Sequence, residues 1–447
     1  MKRKQFQIRA VAVAAALALP MGAAMATNGM LMEGYAAVAT SMGGASQAYD
    51  VGNSAMAQNP ATLGLQPDGT SRFAVNIGLL RPDVTSSAMG MNSESGGDLY
   101  VMPSLGYTKR NGAWTYGIGM YAQGGMGTEY AGNSILGGVT MTGEPGLPAR
   151  SELGVGNVLI PVVYQVNDKL AIGATGKFVW ASLDMMMNAN IPQFMKMYSG
   201  GNLDLSGLGS ATWARLEFSG GGDFSGAAKG HGFGLTLGST YKVSDDLMLG
   251  ASYQFKTALS DLKTGGTGAT LSATGGFTLP GKITVIDFQM PSILAVGASW
   301  NASPTVMLAA DIKRIGWSDV MDKFRMRLDT AVGSASFEIP QQWKDQTVLN
   351  LGVAWKASEA LTLRAGLNLA DNPVPDQYVH PLFPAIEKNH VTFGFGYKLS
   401  KNDVISASFA HAPKVTVTNP GDSTTNTPPI TISHGQNNLQ FGYSHTF

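Results

Sequence analysis

Short segments in which hydrophobic and polar residues alternate recur along most of the chain. In the last ten residues, 438–447, Leu439, Phe441 and Tyr443 alternate with small or polar residues. Successive side chains of a β-strand point to opposite faces, so such a segment has one apolar face and one polar face. Other clear examples run over 113–127, 231–243, 349–355, 361–369 and 391–399. The repetition predicts an all-β protein.

The connections between these segments fall into two length classes. Six short polar turns, such as 109–112 and 400–403, alternate with seven long connections. A soluble β-sandwich has no reason to sort its loops in this way, whereas outer-membrane barrels have short turns on one side and long loops on the other. We therefore predict a transmembrane antiparallel β-barrel of about 14 strands over residues 71–447, with apolar faces towards lipid.

The composition agrees with lipid-exposed strands. Only 13% of residues are Asp, Glu, Lys or Arg, against roughly a quarter in soluble domains. Outside the N-terminus no apolar run reaches the roughly 20 residues that a membrane-spanning helix needs. The 30 basic and 30 acidic residues leave no excess positive charge for binding nucleic acid. We expect a monomer surrounded by outer-membrane lipid.

The N-terminal 26 residues have the pattern of a secretory signal peptide. Lys2, Arg3 and Lys4 precede the apolar stretch 10–19, and the small-residue site 24–26 follows. This order of basic, apolar and small residues predicts residues 1–26 as a signal peptide that is cleaved before Thr27.

Residues 27–70 do not alternate. They are rich in Ala, Gly, Met, Ser and Asn and contain few charges. A disordered tail usually carries more charge and fewer apolar residues. We therefore predict that residues 27–70 form a compact hatch, or plug, inside the barrel lumen.

Two motifs carry a resemblance to a known family. The run Gly44–Ala48 followed by Asn59, Pro60 and Ala61 resembles the N-terminal hatch of the FadL family. The run Asp371–Gln377 resembles the loop that follows the eleventh strand in the same family. Its members are outer-membrane transporters of long-chain fatty acids and other hydrophobic compounds, including aromatic hydrocarbons. The resemblance implies that Asn59, Pro60 and Ala61 belong to the hatch.

The longest connection, 185–230, is the first candidate binding region. Unbranched thioether side chains adapt to irregular apolar shapes, and the resemblance implies that this loop helps to form an outward-facing hydrophobic groove. The alternative is a loop that packs its apolar residues against itself. The candidate substrate-binding residues in it are Met187, Phe194, Met195, Met197 and Trp213.

Two glycines in the third predicted strand are the second candidate feature. Glycines at a strand end indicate a bend or bulge, although simple strand termination would leave the same pattern. The resemblance implies a kink there that opens the barrel wall sideways, so Gly124 and Gly125 are the candidate kink of a lateral exit.

Arg364 is the candidate anchor for a substrate carboxylate, because guanidinium groups bind carboxylates well. The alternative is that it bonds to the hatch or to water. The six histidines are scattered, no G-x-S-x-G motif is present, and no spacing predicts a metal site. We therefore expect no enzymatic activity and no cofactor.

The sequence predicts passive uptake of hydrophobic compounds through a groove, a lumenal pocket and a hatch that rearranges. The alternative function is a general porin for small hydrophilic solutes. Besides lipid and hydrophobic small molecules, we expect the barrel-insertion machinery to act as a partner through the last strand, which ends at Phe447.

Overall fold

The computed structural model describes residues 28–137, 146–222 and 225–447. The predicted signal peptide lies outside the described residues. The helices are α1 (Ala36–Thr40) and α2 (Ile191–Met197), with 3₁₀ turns at Gly52–Ala57, Pro60–Leu65, Ser206–Leu208, Trp317–Asp319, Asp376–Tyr378 and Ser423–Thr425. No helix in these ranges is long and apolar enough to cross a membrane.

The described chain forms one antiparallel sheet of 23 strands. The strands are β1 (Ser71–Ala88), β2 (Met91–Glu94), β3 (Tyr100–Asn111), β4 (Trp114–Tyr130), β5 (Ala149–Gln165), β6 (Leu170–Asn190), β7 (Tyr198–Gly201), β8 (Trp213–Phe218), β9 (Ala228–Lys242), β10 (Leu247–Gln254), β11 (Ala258–Leu259), β12 (Leu262–Lys263), β13 (Ala269–Ala273), β14 (Phe277–Ile286), β15 (Ile293–Ser303), β16 (Val306–Ile315), β17 (Lys323–Thr330), β18 (Gly333–Pro340), β19 (Gln346–Lys356), β20 (Leu361–Ala370), β21 (His390–Lys398), β22 (Asp403–Asn419) and β23 (Ile430–Thr446).

The sheet closes on itself because β23 pairs with β1, with Phe441 opposite Ile77. The predicted count of about 14 strands is too low, since the closed circuit contains 18 strands. Four further strands, β8, β13, β14 and β12, enter the circuit between β6 and β9. Three of them lie within the predicted long connections, and β14 reaches from one of these connections into a predicted strand. Nearer the short turns β6 and β9 pair directly with each other.

One predicted strand is divided in the structure. The sequence predicts a single strand over 283–300, but β14 ends at Ile286 and β15 begins at Ile293. Asp287 adopts a positive φ of 53°, and Pro291 lies in the break. Residues with positive φ and proline both interrupt a strand. As a result β14 pairs within the long connections, whereas β15 pairs with β10 and β16 in the wall.

The predicted alternation of faces is visible along β9. Phe233 is 67% exposed and Leu237 is 44% exposed, whereas Thr236 is buried. The exposed apolar side chains cover the outside of the barrel, and the small and polar ones point inwards. This is the arrangement that a barrel in lipid requires.

The hatch, residues 28–70, fills the lumen and is held by polar side chains of the inner wall. Asp311 Oδ2 accepts the backbone N–H of Ser46 at 2.6 Å and of Gln47 at 3.2 Å. Lys313 donates to the carbonyl of Gly44 at 2.8 Å. Buried backbone groups need hydrogen-bond partners. The wall supplies the partners that the short hatch helices do not provide.

The hatch motif takes part in the same network. Asn59 caps the turn Pro60–Leu65 by accepting from Ala61 N at 3.1 Å. Its amide nitrogen donates to the carbonyls of Gln47 at 2.7 Å and of Ser239 in β9 at 3.0 Å. One side chain therefore joins two parts of the hatch to the wall.

We expect Asp311→Ala to loosen the hatch without preventing barrel assembly. The substitution removes the acceptor of two buried N–H groups, and each bond to a charged acceptor contributes about 1.5–3 kcal/mol. Amide hydrogen exchange at Ser46 and Gln47 should accelerate roughly 10- to 100-fold. The matched control is Lys398→Ala, which changes an exposed wall residue. Equal exchange rates in both variants would contradict this role of Asp311.

Candidate functional site

Two adjoining cavities open among the long connections. Their empty volumes are about 1200 and 1310 Å³, open solvent included. Trp213 lines the first cavity, and Met187 and Met197 line the second. Val379 and His380 line both. We call the two together the outer cavity.

Helix α2 forms one wall of the outer cavity. It begins at a capping box, in which Asn190 Oδ1 accepts from Gln193 N at 2.8 Å and Gln193 Oε1 accepts from Asn190 N at 3.2 Å. Lys196 in the last turn pairs with Asp422, and this hydrogen bond lowers the pKa of Asp422. The pair holds the long connection after β6 against the connection after β22.

The candidate residues of the 185–230 loop occupy different environments. Phe194 is 1% exposed and packs on Phe337, with 5.1 Å between ring centroids. Met195 is 42% exposed and lies outside the cavity lining. The structure therefore brings Met187, Met197 and Trp213 to the cavity, but not Phe194 or Met195.

The connection after β20 folds inwards beneath the outer cavity. The carbonyl of Pro381 accepts from Thr128 Oγ1 at 3.0 Å, and the carbonyl of Leu382 accepts from Ser151 Oγ. Burial lowers the pKa of His380 to about 4. The neutral imidazole can therefore accept, through Nδ1, the N–H of Leu382 at 3.1 Å. This segment separates the outer cavity from the barrel interior.

Below that segment an apolar cluster extends down to the hatch. A single buried cluster joins the outer connections to the first residues of the hatch, and methionine and aromatic side chains are frequent in it. Its members include Met30, Met126, Met185, Phe288, Met290, Trp317, Phe324 and Phe337. Flexible thioether side chains can repack around an apolar molecule.

A further cavity lies between the hatch and the strands β10, β15 and β16, with about 560 Å³ of empty volume. Leu31, Tyr35 and Gln254 line it. Arg364 lies on β20 and lines neither this cavity nor the outer cavity. Its Nη1 is buried without a hydrogen-bond partner among the described residues.

The barrel wall has a gap between β3 and β4. Their pairing runs from Asn111 opposite Trp114 to Ser104 opposite Tyr121, and it stops there. The residue that precedes Ser104 in β3 is Pro103, which has no N–H to donate to a neighbouring strand. Beyond the gap, the connection between β2 and β3 bonds to β4 again, because Gly96 N donates to the Glu129 carbonyl at 2.7 Å.

Strand β4 is distorted where the gap begins. Ala122 pairs with Gly156 and Gly124 pairs with Val155, so Gln123 is an extra residue in a β-bulge. Bulges bend a strand and end regular pairing. The kink therefore lies next to the predicted glycines, but Gln123 and Pro103 were not identified from the sequence. A proline inside an alternating segment is the signal that could have revealed the gap.

The beginning of the hatch occupies this gap. Gly125 N donates to the Met30 carbonyl at 3.1 Å, and Leu31 forms a β-bridge with Gly124. A Cβ atom on Gly124 would lie 2.0 Å from the Met30 oxygen. Only glycine allows the hatch backbone to approach the wall so closely at this point.

Known proteins share this architecture. A family profile described as outer membrane protein transport protein (OMPP1/FadL/TodX) matches residues 12–446. The crystal structure of the Pseudomonas putida toluene transporter TodX is 34% identical, covers 93% of this chain and 99% of its own, and has a TM-score of 0.83. The Ralstonia pickettii toluene transporter TbuX is 30% identical, with the same coverage and a TM-score of 0.77.

Curated relatives match over shorter stretches. An uncharacterized protein from Chlorobium limicola is 47% identical over 94 residues, which are 21% of this chain and 45% of that protein. The chain spans less than half the length of the curated relatives that it matches.

We expect Trp213→Ala to weaken binding of a small apolar probe molecule to the purified protein roughly tenfold. The indole lines the outer cavity, and losing roughly 50 Å² of apolar contact costs about 1.3 kcal/mol at about 25 cal/mol per Å². Met195→Ala is the matched control, because it removes an exposed apolar side chain of the same connection. Titration calorimetry measures both affinities, and an equal loss in the two variants would count against binding in the outer cavity.

Proposed function

Since this chain belongs to the outer membrane protein transport family (OMPP1/FadL/TodX), we propose that it carries small neutral hydrophobic compounds, of the size of aromatic hydrocarbons, passively across the outer membrane. Family membership confirms the predicted resemblance and the location in a Gram-negative outer membrane. It supports a role in the transport of hydrophobic compounds rather than in catalysis. The short turns are then periplasmic and the long connections extracellular.

The proposed substrate class rests on the relatives and on the lining of the cavities. The solved relatives at 34% and 30% identity are described as toluene transporters. Arg364, the candidate carboxylate anchor, lies away from the cavities. Lys196 lines the outer cavity but is already paired with Asp422. Lys313 lines the cavity beside the hatch, where Glu33 also lies, and donates to the Gly44 carbonyl. A neutral ligand fits these surroundings better than a fatty acid.

The proposed path starts in the outer cavity and crosses the segment around Pro381 into the apolar cluster. Transfer out of water contributes about 25 cal/mol per Å² of apolar surface buried, so each step can be driven by the concentration gradient. In the proposal the compound leaves sideways through the gap between β3 and β4 when Met30 and Leu31 withdraw. The observation that carries this proposal is the Gly125–Met30 contact, which seals a gap in the wall with part of the hatch.

Deleting Gln123 should slow toluene uptake at least tenfold. Without the extra residue β4 can extend its pairing towards β3 and narrow the gap. The matched control is deletion of Lys414, which removes a bulge between Ala412 and Val415 of β22 on another part of the wall. Uptake of labelled toluene into cells expressing each variant provides the measurement.

Ion conductance of the same variants in planar bilayers shows whether the hatch remains closed. Tyr35 donates to the Gln123 carbonyl at 2.9 Å, so deletion could also loosen the hatch. A loosened hatch would raise both conductance and uptake, the opposite of the expected result. Normal uptake with unchanged conductance would exclude the lateral exit.

The general porin is the second candidate function, and solute uptake distinguishes it. We expect the protein to accelerate entry of toluene into whole cells several-fold and to leave entry of arabinose into liposomes unchanged, because the hatch bonds directly to the wall. Removal of residues 28–70 should produce arabinose entry and ion conductance. Fast arabinose entry through the intact protein would favour the porin.

A further inference from the structure

A row of polar and basic side chains crosses six neighbouring strands on the outside of the barrel. Five successive cross-strand pairs define it: Ser182 with Lys229, Lys229 with Lys263, Lys263 with Thr284, Thr284 with Arg327, and Arg327 with Ser336. Paired residues of antiparallel strands lie on the same face of the sheet. We call Lys229, Lys263 and Arg327 the basic row.

The basic row lies where the lipid-facing apolar band ends. Four of the five outward residues of β9 from Tyr241 to Phe233 are exposed and apolar, and the fifth is a half-buried serine. They span nine positions, and a barrel strand crosses the hydrocarbon in roughly 9–11 residues. Lys229 lies four positions further towards the extracellular side. Its height is therefore that of the lipid headgroups of the outer leaflet.

Aromatic rings lie directly beneath the row. Phe178 contacts Phe233 with 5.9 Å between ring centroids, and His231 lies 6.0 Å from Phe178. Trp180, which pairs with His231, occupies the position between Phe178 and Ser182 on the same outward face of β6. Aromatic side chains of this kind mark the boundary between hydrocarbon and headgroups.

The charges of the row are only partly balanced by the protein. Lys229 and Lys263 stand directly opposite each other, an arrangement of like charges that destabilises a sheet. Lys263 lies 3.8 Å from Asp261, and Arg327 lies 2.8 Å from Asp329. Among the described residues Lys229 has no ion pair. An external anion would relieve the repulsion between the two lysines.

We propose that the basic row binds the phosphate groups of a phosphorylated glycolipid of the outer leaflet, of the lipid A type. Adjacent strands lie about 4.8 Å apart, so the row extends roughly 14 Å from Lys229 to Arg327, which suits a headgroup that carries phosphates at both ends. Thr284 and the flanking serines add hydroxyl donors. The acyl chains of the bound lipid cover the rings of Phe178 and Phe233.

The site lies away from the proposed hydrocarbon path, which runs inside the barrel and leaves between β3 and β4, whereas the basic row lies on β9, β12 and β17. Lys229, Lys263 and Arg327 are exposed on the outer surface, and none of them lines the outer cavity. Loss of lipid binding therefore leaves the proposed transport function to be judged by its own assays.

Native mass spectrometry of the detergent-solubilised protein with lipid A tests the proposal. We expect the triple variant K229Q/K263Q/R327Q to bind lipid A at least tenfold more weakly than the wild type. The matched control is K109Q/K169Q/K356Q, which removes three exposed basic residues at the short-turn end and should bind normally. Dephosphorylated lipid A should bind the wild type as weakly as intact lipid A binds the triple variant.

Three results would overturn the proposal. The first is that the triple variant binds lipid A as tightly as the wild type, and the second is that the wild type binds dephosphorylated lipid A as tightly as intact lipid A. The third is that millimolar pyrophosphate competes as strongly as lipid A, which would indicate a site for free phosphate. Heat-modifiable migration on gels verifies that each variant is folded. If the triple variant does not fold, Lys263→Gln alone tests the same site, with an expected loss of about threefold.

Discussion

The fold depends on the need to satisfy the backbone of the hatch inside the barrel. Residues 28–70 contain only one short α-helix and two 3₁₀ turns, so many of their N–H and C=O groups lack partners within the hatch. Polar side chains of the inner wall supply these partners, with Asp311 and Asn350 bonded to hatch backbone on either side of Gly44. A buried polar group without a partner costs about 1–3 kcal/mol. The polar inner face of the wall strands therefore fixes the position of the hatch backbone.

The same need explains why a gap in the wall can persist. Where β3 leaves β4, the N–H of Gly125 would be unpaired in an apolar setting, and the Met30 carbonyl accepts it. The hatch thus replaces a missing strand at this point. Because the replacement belongs to a separate segment, its displacement would leave intact the hydrogen bonds that close the rest of the barrel. A seal made by a neighbouring strand could not be removed so locally.

Much of the fold follows from the sequence because alternation has a fixed period of two residues. The alternating segments at 113–127, 231–243 and 391–399 predict strands that the structure has as β4, β9 and β21. The strands β8, β12 and β13 escaped prediction because they are only two to six residues long, and an alternation so short does not stand out in the sequence. Only the end of β14 was included in a predicted strand. The division at Asp287 depends on a single positive φ, which no periodicity reveals.

The candidate site was less predictable because it is built from long-range contacts. The glycines at 124–125 indicated a kink, yet the partner that fills it, Met30, lies over ninety residues away in a segment without alternation. The apolar residues of the 185–230 loop could be recognised by type, but which of them are buried depends on packing against Phe337 in β18. Sequence spacing sets the face of a strand. Which loop residues meet depends on how the closed barrel brings distant connections together. The lining of the cavity therefore cannot be read from any single segment.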